Sequence, residues 1–192
     1  MENSSAKRKK LFVISGPSGV GKGTVIEGFL KRNPEFKLSI SYTTRAKREG
    51  EVEGVNYFFR TREEFVKGIE NDEFLEWAEF SDNLYGTKRV FIEKCLNNQM
   101  DLILEIDTQG ALQVKEKMPK AVLIFIAPPS FEDLEYRLRN RKTESEEAIL
   151  KRLEFVKTEI KNSAKFDYIV INDEIARAIG ELEKIINAER AN

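Results

Sequence analysis

The stretch Leu11–Thr24, LFVISGPSGVGKGT, sets an apolar run directly before a glycine-rich turn and the start of a helical pattern. Few architectures accept that order of strand, tight loop and helix, and it constrains this chain more than any other feature. Gly16, Gly19, Gly21 and Gly23 let successive backbone N–H groups turn inward around an anion, where side chains would obstruct them. The loop, completed by Pro17, Ser18, Val20, Lys22 and Thr24, runs into a helix N-terminus whose unpaired donors and partial positive charge add to the attraction. Lys22 then reaches the outer phosphates of a nucleoside triphosphate. The usual pattern places Ser or Thr directly after the lysine to bind magnesium, and here Gly23 intervenes before Thr24. A magnesium ion that arrives with the triphosphate and keeps its waters does not need that grip.

Downstream, apolar runs alternate with amphipathic segments, the pattern of a parallel sheet covered by helices. Strands are predicted at Leu11–Ser15, Asp101–Ile106, Ala121–Ile126 and Tyr168–Ile171. Helices are predicted at Gly23–Arg32, Lys88–Asn97, Gln109–Lys117, Phe131–Asn140 and Glu174–Ala188, with Ser130 as an N-cap. Two excursions break the rhythm. Residues 37–87 are rich in Tyr, Phe and Trp and read as short strands around one helix, TREEFVKGIEN, with a capping box at Thr61 and Glu64. Residues 137–159 form a charged helical pair with a second box at Thr143 and Glu146. The remaining core is then 11–36, 88–136 and 160–192, one domain behind a flexible basic tail, 1–10.

The aromatic insertion carries SISYTTRAKREGEVEGVNYFF and EFLEWAEFSDNLYGT. Arginine forks (Arg45, Arg48) and phenol hydroxyls (Tyr57, Tyr85) suit a phosphate monoester. A carboxylate, Glu76, suits a base edge that presents two donors side by side. Guanine has such an edge in N1–H and its 2-amino group, whereas adenine offers a lone pair at N1. Hydroxyls such as Ser41 and Thr87 can donate to guanine O6 and N7. Each of these residues also has a bland reading, as core tyrosines, surface arginines or a solvated strand edge. Their joint presence beside the phosphate loop argues against it.

The motifs GPSGVGKGT, TTRAKREGEVEGVNYFF, EFLEWAEF, YGT, LEIDTQGA, FIAPPS, RNRKTESEEAILKRL and VINDE together resemble guanylate kinase from Leu11 to about Glu189. The resemblance implies an α/β P-loop three-layer fold with a parallel central sheet, a small α+β GMP-binding insertion and a helical lid. It implies ATP-dependent phosphorylation of GMP and dGMP to the diphosphates, serving guanine nucleotide metabolism. Carried over by position, Arg45, Arg48, Tyr57 and Tyr85 hold the GMP phosphate, while Ser41, Glu76, Thr87 and Asp107 read guanine. Lys22, Arg45, Arg137, Arg141 and Arg152 gather the charge of the reacting phosphates, and Asn172 lies near adenine. Mg2+ is carried by ATP, with no direct protein ligand assigned and with Thr24 or Asp107 reaching it through water. Two departures stand out. Lys142 follows the lid arginine where family members often have glycine, and Glu105, which can reach the metal's waters or the GMP edge, stands where some carry aspartate.

Two rivals remain open on the residues alone: another acceptor such as AMP, which GKGT permits, and a non-enzymatic module of the same fold that binds phosphopeptide. The intact glycines, Lys22 and lid arginines argue against the module, and Glu76 argues against AMP. There is no histidine, which counts against His-based triads and common zinc sites. With 32 basic and 33 acidic residues the net charge of −1 gives no case for nucleic acid. No apolar run approaches the roughly 20 residues that span a bilayer. The opening MENSSAKRKK lacks an apolar segment and reads as a solvated tail rather than a secretory signal. A lone cysteine, Cys95, cannot form an internal disulfide and reads as apolar filler in a reducing cytoplasm. The expected partners are therefore small molecules, ATP and GMP or dGMP, with the protein a monomer or homodimer.

Overall fold

The computed structural model describes residues 9–140 and 146–191. Strand β1 (Leu11–Ser15) is buried along its whole length, as an LFVIS sequence demands. A strand without a wet face needs cover on both sides. It lies at the centre of a five-stranded sheet with β2 (Lys37–Leu38), β7 (Leu102–Glu105), β8 (Val122–Ala127) and β9 (Tyr168–Ile171), ordered β2-β7-β1-β8-β9. All four pairings are parallel. Phe12 and Ile14 point into one apolar cluster with Val25, Phe29, Ile179 and Leu182, from helices α1 (Lys22–Arg32) and α7 (Ile175–Ala191). Leu11 and Val13 point into the other, with Ile92 and Cys95 of α3 (Arg89–Asn97) and Ala111 and Val114 of α4 (Thr108–Lys117). The alternation of one strand thus divides the two helical layers.

The predicted strands and helices of this core are present, with ends that coincide or differ by at most three residues. Lys37–Leu38 differ, because composition grouped them with the insertion. They pair with Leu102 and Ile103 and form the edge of the parallel sheet. The insertion proper is a second sheet, ordered β4-β3-β6-β5, from β3 (Tyr42–Thr43), β4 (Phe58–Phe59), β5 (Phe74–Phe80) and β6 (Asn83–Lys88). Its helix α2 (Arg62–Glu70) opens with the reciprocal Thr61–Glu64 capping box. Helix α5 (Phe131–Arg139) is capped by Ser130, whose Oγ accepts from the Asp133 amide at 3.0 Å. Helix α6 (Glu146–Asn162) follows, so both helices run beyond the charged stretch that marked them. Arg141, Lys142 and the second capping box, through Thr143, lie outside the described residues.

Asp101, just before β7, fastens the chain's start to its end. Its nearly inaccessible carboxylate accepts from the Lys10 amide at 3.0 Å and ion-pairs with Lys9 at 3.3 Å and Arg190 Nε at 3.0 Å. Removing one partner of such a network leaves the others desolvated without compensation. Asp101→Ala is therefore expected to lower unfolding stability by about 2–3 kcal/mol, read as a shift of the urea midpoint at unchanged m-value.

Candidate active site

Ligands of open parallel sheets sit beyond the carboxyl ends of the strands. Here the loops after β1 and β7 meet, and a cavity of about 510 Å³ opens between them, the second sheet and α6. On the loop side it is lined by Gly16, Ser18 and Lys22. Gly21 caps α1 with φ 89° and ψ 19°, a conformation that side chains avoid. A Cβ there would also stand 2.7 Å from Asn172 Nδ2. Lys22 Nζ donates to the carbonyls of Gly16 at 3.3 Å and Ile106 at 3.4 Å, which holds the ammonium across the loop mouth.

The opposite wall comes from β5 and β6. Glu76, Ala78 and Phe80 alternate onto the cavity, together with Tyr85 and Gly86. A bulge between Phe74 and Glu76 sets this alternation. Phe74 joins the insertion's own cluster and Leu75 the main core, as strand neighbours do. Across the bulge Glu76, two residues on from Phe74, turns to the cavity instead of back to Phe74's cluster. Helix α4 fixes the strand from behind: Gln113 exchanges hydrogen bonds with Trp77 at 3.2 and 2.8 Å, and Lys117 donates to the Leu75 carbonyl at 2.7 Å. Gly110 is the one α4 residue whose missing Cβ makes room for the Glu76 carboxylate. Asp107, at the start of this helix, accepts from the Gly110 amide at 2.8 Å and also lines the cavity.

Glu76 is only 3% exposed, and its Oε1 has no hydrogen-bond partner. Burial pushes its carboxyl up to about 7, partly opposed by Thr87, its partner across the β5–β6 ladder, while the nearby Asp107 adds to the rise. Thr87 Oγ1 is likewise buried without a partner. A desolvated carboxylate with an unpartnered oxygen on a cavity wall has acceptor capacity that the chain's own donors leave unused.

The family model for guanylate kinase matches residues 8–189. The chain belongs to the guanylate kinase family. It is 51% identical to the guanylate kinase of Caldanaerobacter subterraneus over 96% of this chain and 89% of that protein. It is 49% identical to that of Desulfitobacterium hafniense over 94% of this chain and 90% of the other. The crystal structure of guanylate kinase from Anaplasma phagocytophilum superposes with a TM-score of 0.81 at 34% identity, covering 97% of this chain and 88% of that one.

Of the residues expected for a guanylate kinase site, Gly16, Ser18, Lys22, Ser41, Tyr57, Glu76, Tyr85, Glu105 and Asp107 share the one cavity. Tyr57 and Tyr85 meet edge to face, with ring centroids 6.0 Å apart. Arg45 stands over the Tyr57 ring at 5.4 Å rather than on the cavity wall, and Arg48 is exposed. Asn172 is buried under the loop, where its Nδ2 donates to the Val20 carbonyl at 2.7 Å, so in this structure it braces the loop. Arg137 Nη2 lies 3.4 Å from the Asn172 carbonyl, and Arg152 is half-buried on α6. Thr24 is exposed at the first turn of α1.

Sequence reasoning missed Glu159. It is 3% exposed on α6, lines the cavity, and leaves Oε2 unpartnered. Burial pushes its carboxyl up to about 7, against the pull of Lys22, the Ser18 amide and Arg152. The available signal was its spacing from Arg152, two helical turns along the same side. Also missed were Phe80 and Phe155, whose rings, 5.5 Å apart, join the insertion to α6 across the cavity.

Proposed function

We propose that this guanylate kinase transfers the γ-phosphoryl group of ATP to GMP and dGMP, with Glu76 choosing the base. The observation that carries this is the buried Glu76 carboxylate, with an unpartnered oxygen, on the wall of the cavity that also holds Lys22. Guanine meets it with two N–H groups. Adenine would set a lone pair against it, and a site of that kind discriminates by ~10⁴ or more.

Two anionic nucleotides must approach each other, so charge neutralisation is the first task. Lys22 and the loop amides take the ATP phosphates, with Arg137, Arg141 and Arg152 closing over them. Arg45, Arg48, Tyr57 and Tyr85 hold the GMP phosphate, and Ser41, Thr87 and Asp107 support the base. A GMP phosphate oxygen then bonds to the γ-phosphorus as the bond to the bridging oxygen breaks and ADP leaves. No general base is needed, because a phosphate monoester loses its second proton near ~6. The Phe80–Phe155 pair helps to exclude water from the reacting phosphates. Mg2+ bound with ATP supplies further charge neutralisation. The carboxylates of Asp107 and Glu105 and the hydroxyl of Thr24 are hard oxygen donors that suit its water shell. Cys95 is buried and unpaired, which suits a reducing cytoplasm. Among the described residues no helix is long and apolar enough to cross a membrane.

The test supplies ATP and Mg2+ with GMP, dGMP, AMP, CMP or UMP separately and follows ADP release. GMP and dGMP are expected to turn over; AMP reacting at a comparable rate would refute the role of Glu76. Base binding should also depend on pH. Only ionised Glu76 accepts both guanine donors, and its carboxyl titrates near 7. Guanosine, which lacks the titrating phosphate, should bind about tenfold more weakly at pH 6 than at pH 8. Calorimetry reads this directly, and a flat profile would remove the carboxylate from base recognition.

A further inference from the structure

We infer that Glu51, in the loop between β3 and β4, is a positioning residue that presents one edge of the Arg45 guanidinium to the acceptor's phosphate. This rests on Arg45 receiving the GMP phosphate, as proposed above. A guanidinium offers five N–H donors in a rigid fork. Three are used here: Nη1 donates to the Ala46 carbonyl at 2.8 Å and to Glu51 Oε2 at 3.0 Å, and Nη2 donates to Glu51 Oε1 at 2.6 Å. The two left over are Nε–H and the second Nη2–H, which lie side by side on the opposite edge and have no partner among the described residues. That pair matches two oxygens of a phosphate group.

The ring beneath the guanidinium, Tyr57, lines the cavity, so the Arg45 fork stands one ring away from the place where a monoester would sit. Glu51 Oε2 also accepts from the Arg48 amide at 2.8 Å. One carboxylate therefore sets the side chain of the first arginine and the backbone of the second. Arg45 in turn holds the Glu51 carboxyl below the usual carboxylate range, which keeps it ionised near neutral pH. A carboxylate that merely competed with phosphate would need only the Arg45 fork. The shared bond to Arg48 marks a residue that shapes the loop.

The experiment compares wild type with Glu51→Gln, which keeps the shape and loses one acceptor oxygen and the charge. Its KM for GMP should rise about tenfold or more, while kcat changes by less than about threefold and the KM for ATP holds. Guanosine, tested as a competitive inhibitor, should keep its inhibition constant, because it has no phosphate for Arg45 to hold. An unchanged or lowered KM for GMP overturns the proposal, and so does an equal weakening of GMP and guanosine, which would signal general damage to the insertion. In an Arg45→Lys background the same substitution should matter by less than about twofold; an undiminished effect there also overturns it. Should Glu51→Gln not fold, Glu51→Asp replaces it with the same readouts. Wild type failing to phosphorylate GMP would instead remove the underlying reading, so the two failures are distinguishable.

Discussion

Replacing Glu76 by glutamine is expected to raise the KM for GMP by about 10²-fold or more and to stabilise the ligand-free protein at pH 8. The first effect follows from geometry. Glutamine keeps the shape but turns one acceptor oxygen into a donor, which then faces a guanine N–H. With ATP assigned to the glycine loop and not to β5, as proposed, its KM should hold. The second effect follows from burial, which raises the carboxyl from 4.5 to about 7. A carboxyl whose folded value lies above its unfolded one binds protons more tightly when folded. Its penalty is absent below 4.5, grows between 4.5 and 7, and is complete above 7. About two and a half units correspond to an upper limit of about 3 kcal/mol, or several degrees of melting temperature in a chain of this size. Thermal melts at pH 5 and pH 8 separate the claims, with the gain confined to pH 8. A variant that gains no stability at pH 8 and keeps its KM for GMP would show that the carboxylate is neither strained nor used.

Lys22→Met should lower kcat by about 10³-fold while GMP binding changes little. The Lys22 ammonium is held by two neutral carbonyls, and no carboxylate forms an ion pair with it among the described residues. Its charge is thus available to phosphate. Methionine preserves length and apolar packing of the stem, so the loss isolates the charge. Glu159 supplies an internal check, because Lys22 helps to hold down its titration and burial would then act with less opposition. Single-turnover measurements distinguish slow chemistry from weak binding. Turnover within tenfold of wild type would mean that the loop amides and arginines suffice without this cation.

Much of the site was legible in the chain because its signals are local. A glycine-rich turn between an apolar run and a helix has a backbone consequence wherever it occurs, and Gly21 shows it. The capping box at Thr61 and the cap at Ser130 are equally local, since each reaches only three residues along the chain. Base choice could be argued from the donors of guanine and the one glutamate beside an aromatic. Glu159 and Glu51 escaped because their meaning depends on partners brought by the fold: the loop and Lys22 for one, the Arg45 fork for the other. Asn172 was expected near adenine; the structure adds that its amide donates to the Val20 carbonyl under the loop, a contact that no pattern in VINDE records.

The amino-acid order was enough to settle the alternation of strand and helix and the glycine-rich turn between them, and to favour guanine as the acceptor's base, because periodicity, glycine content and functional-group chemistry act over a few residues. Packing alone settled that Lys37–Leu38 join the parallel sheet and that a bulge beside Leu75 turns Glu76 into the cavity. Strand register is chosen by which apolar side chains can be buried together from distant parts of the chain. Phe74 and Leu75 part to different clusters as neighbours in any strand do, but Phe74 and Glu76, two residues apart, would share a face in an unbroken ladder. The slip between them leaves Phe74 in the insertion's cluster and Glu76 on the cavity. That slip aims the carboxylate at the cavity, and no pattern of neighbouring residues records it.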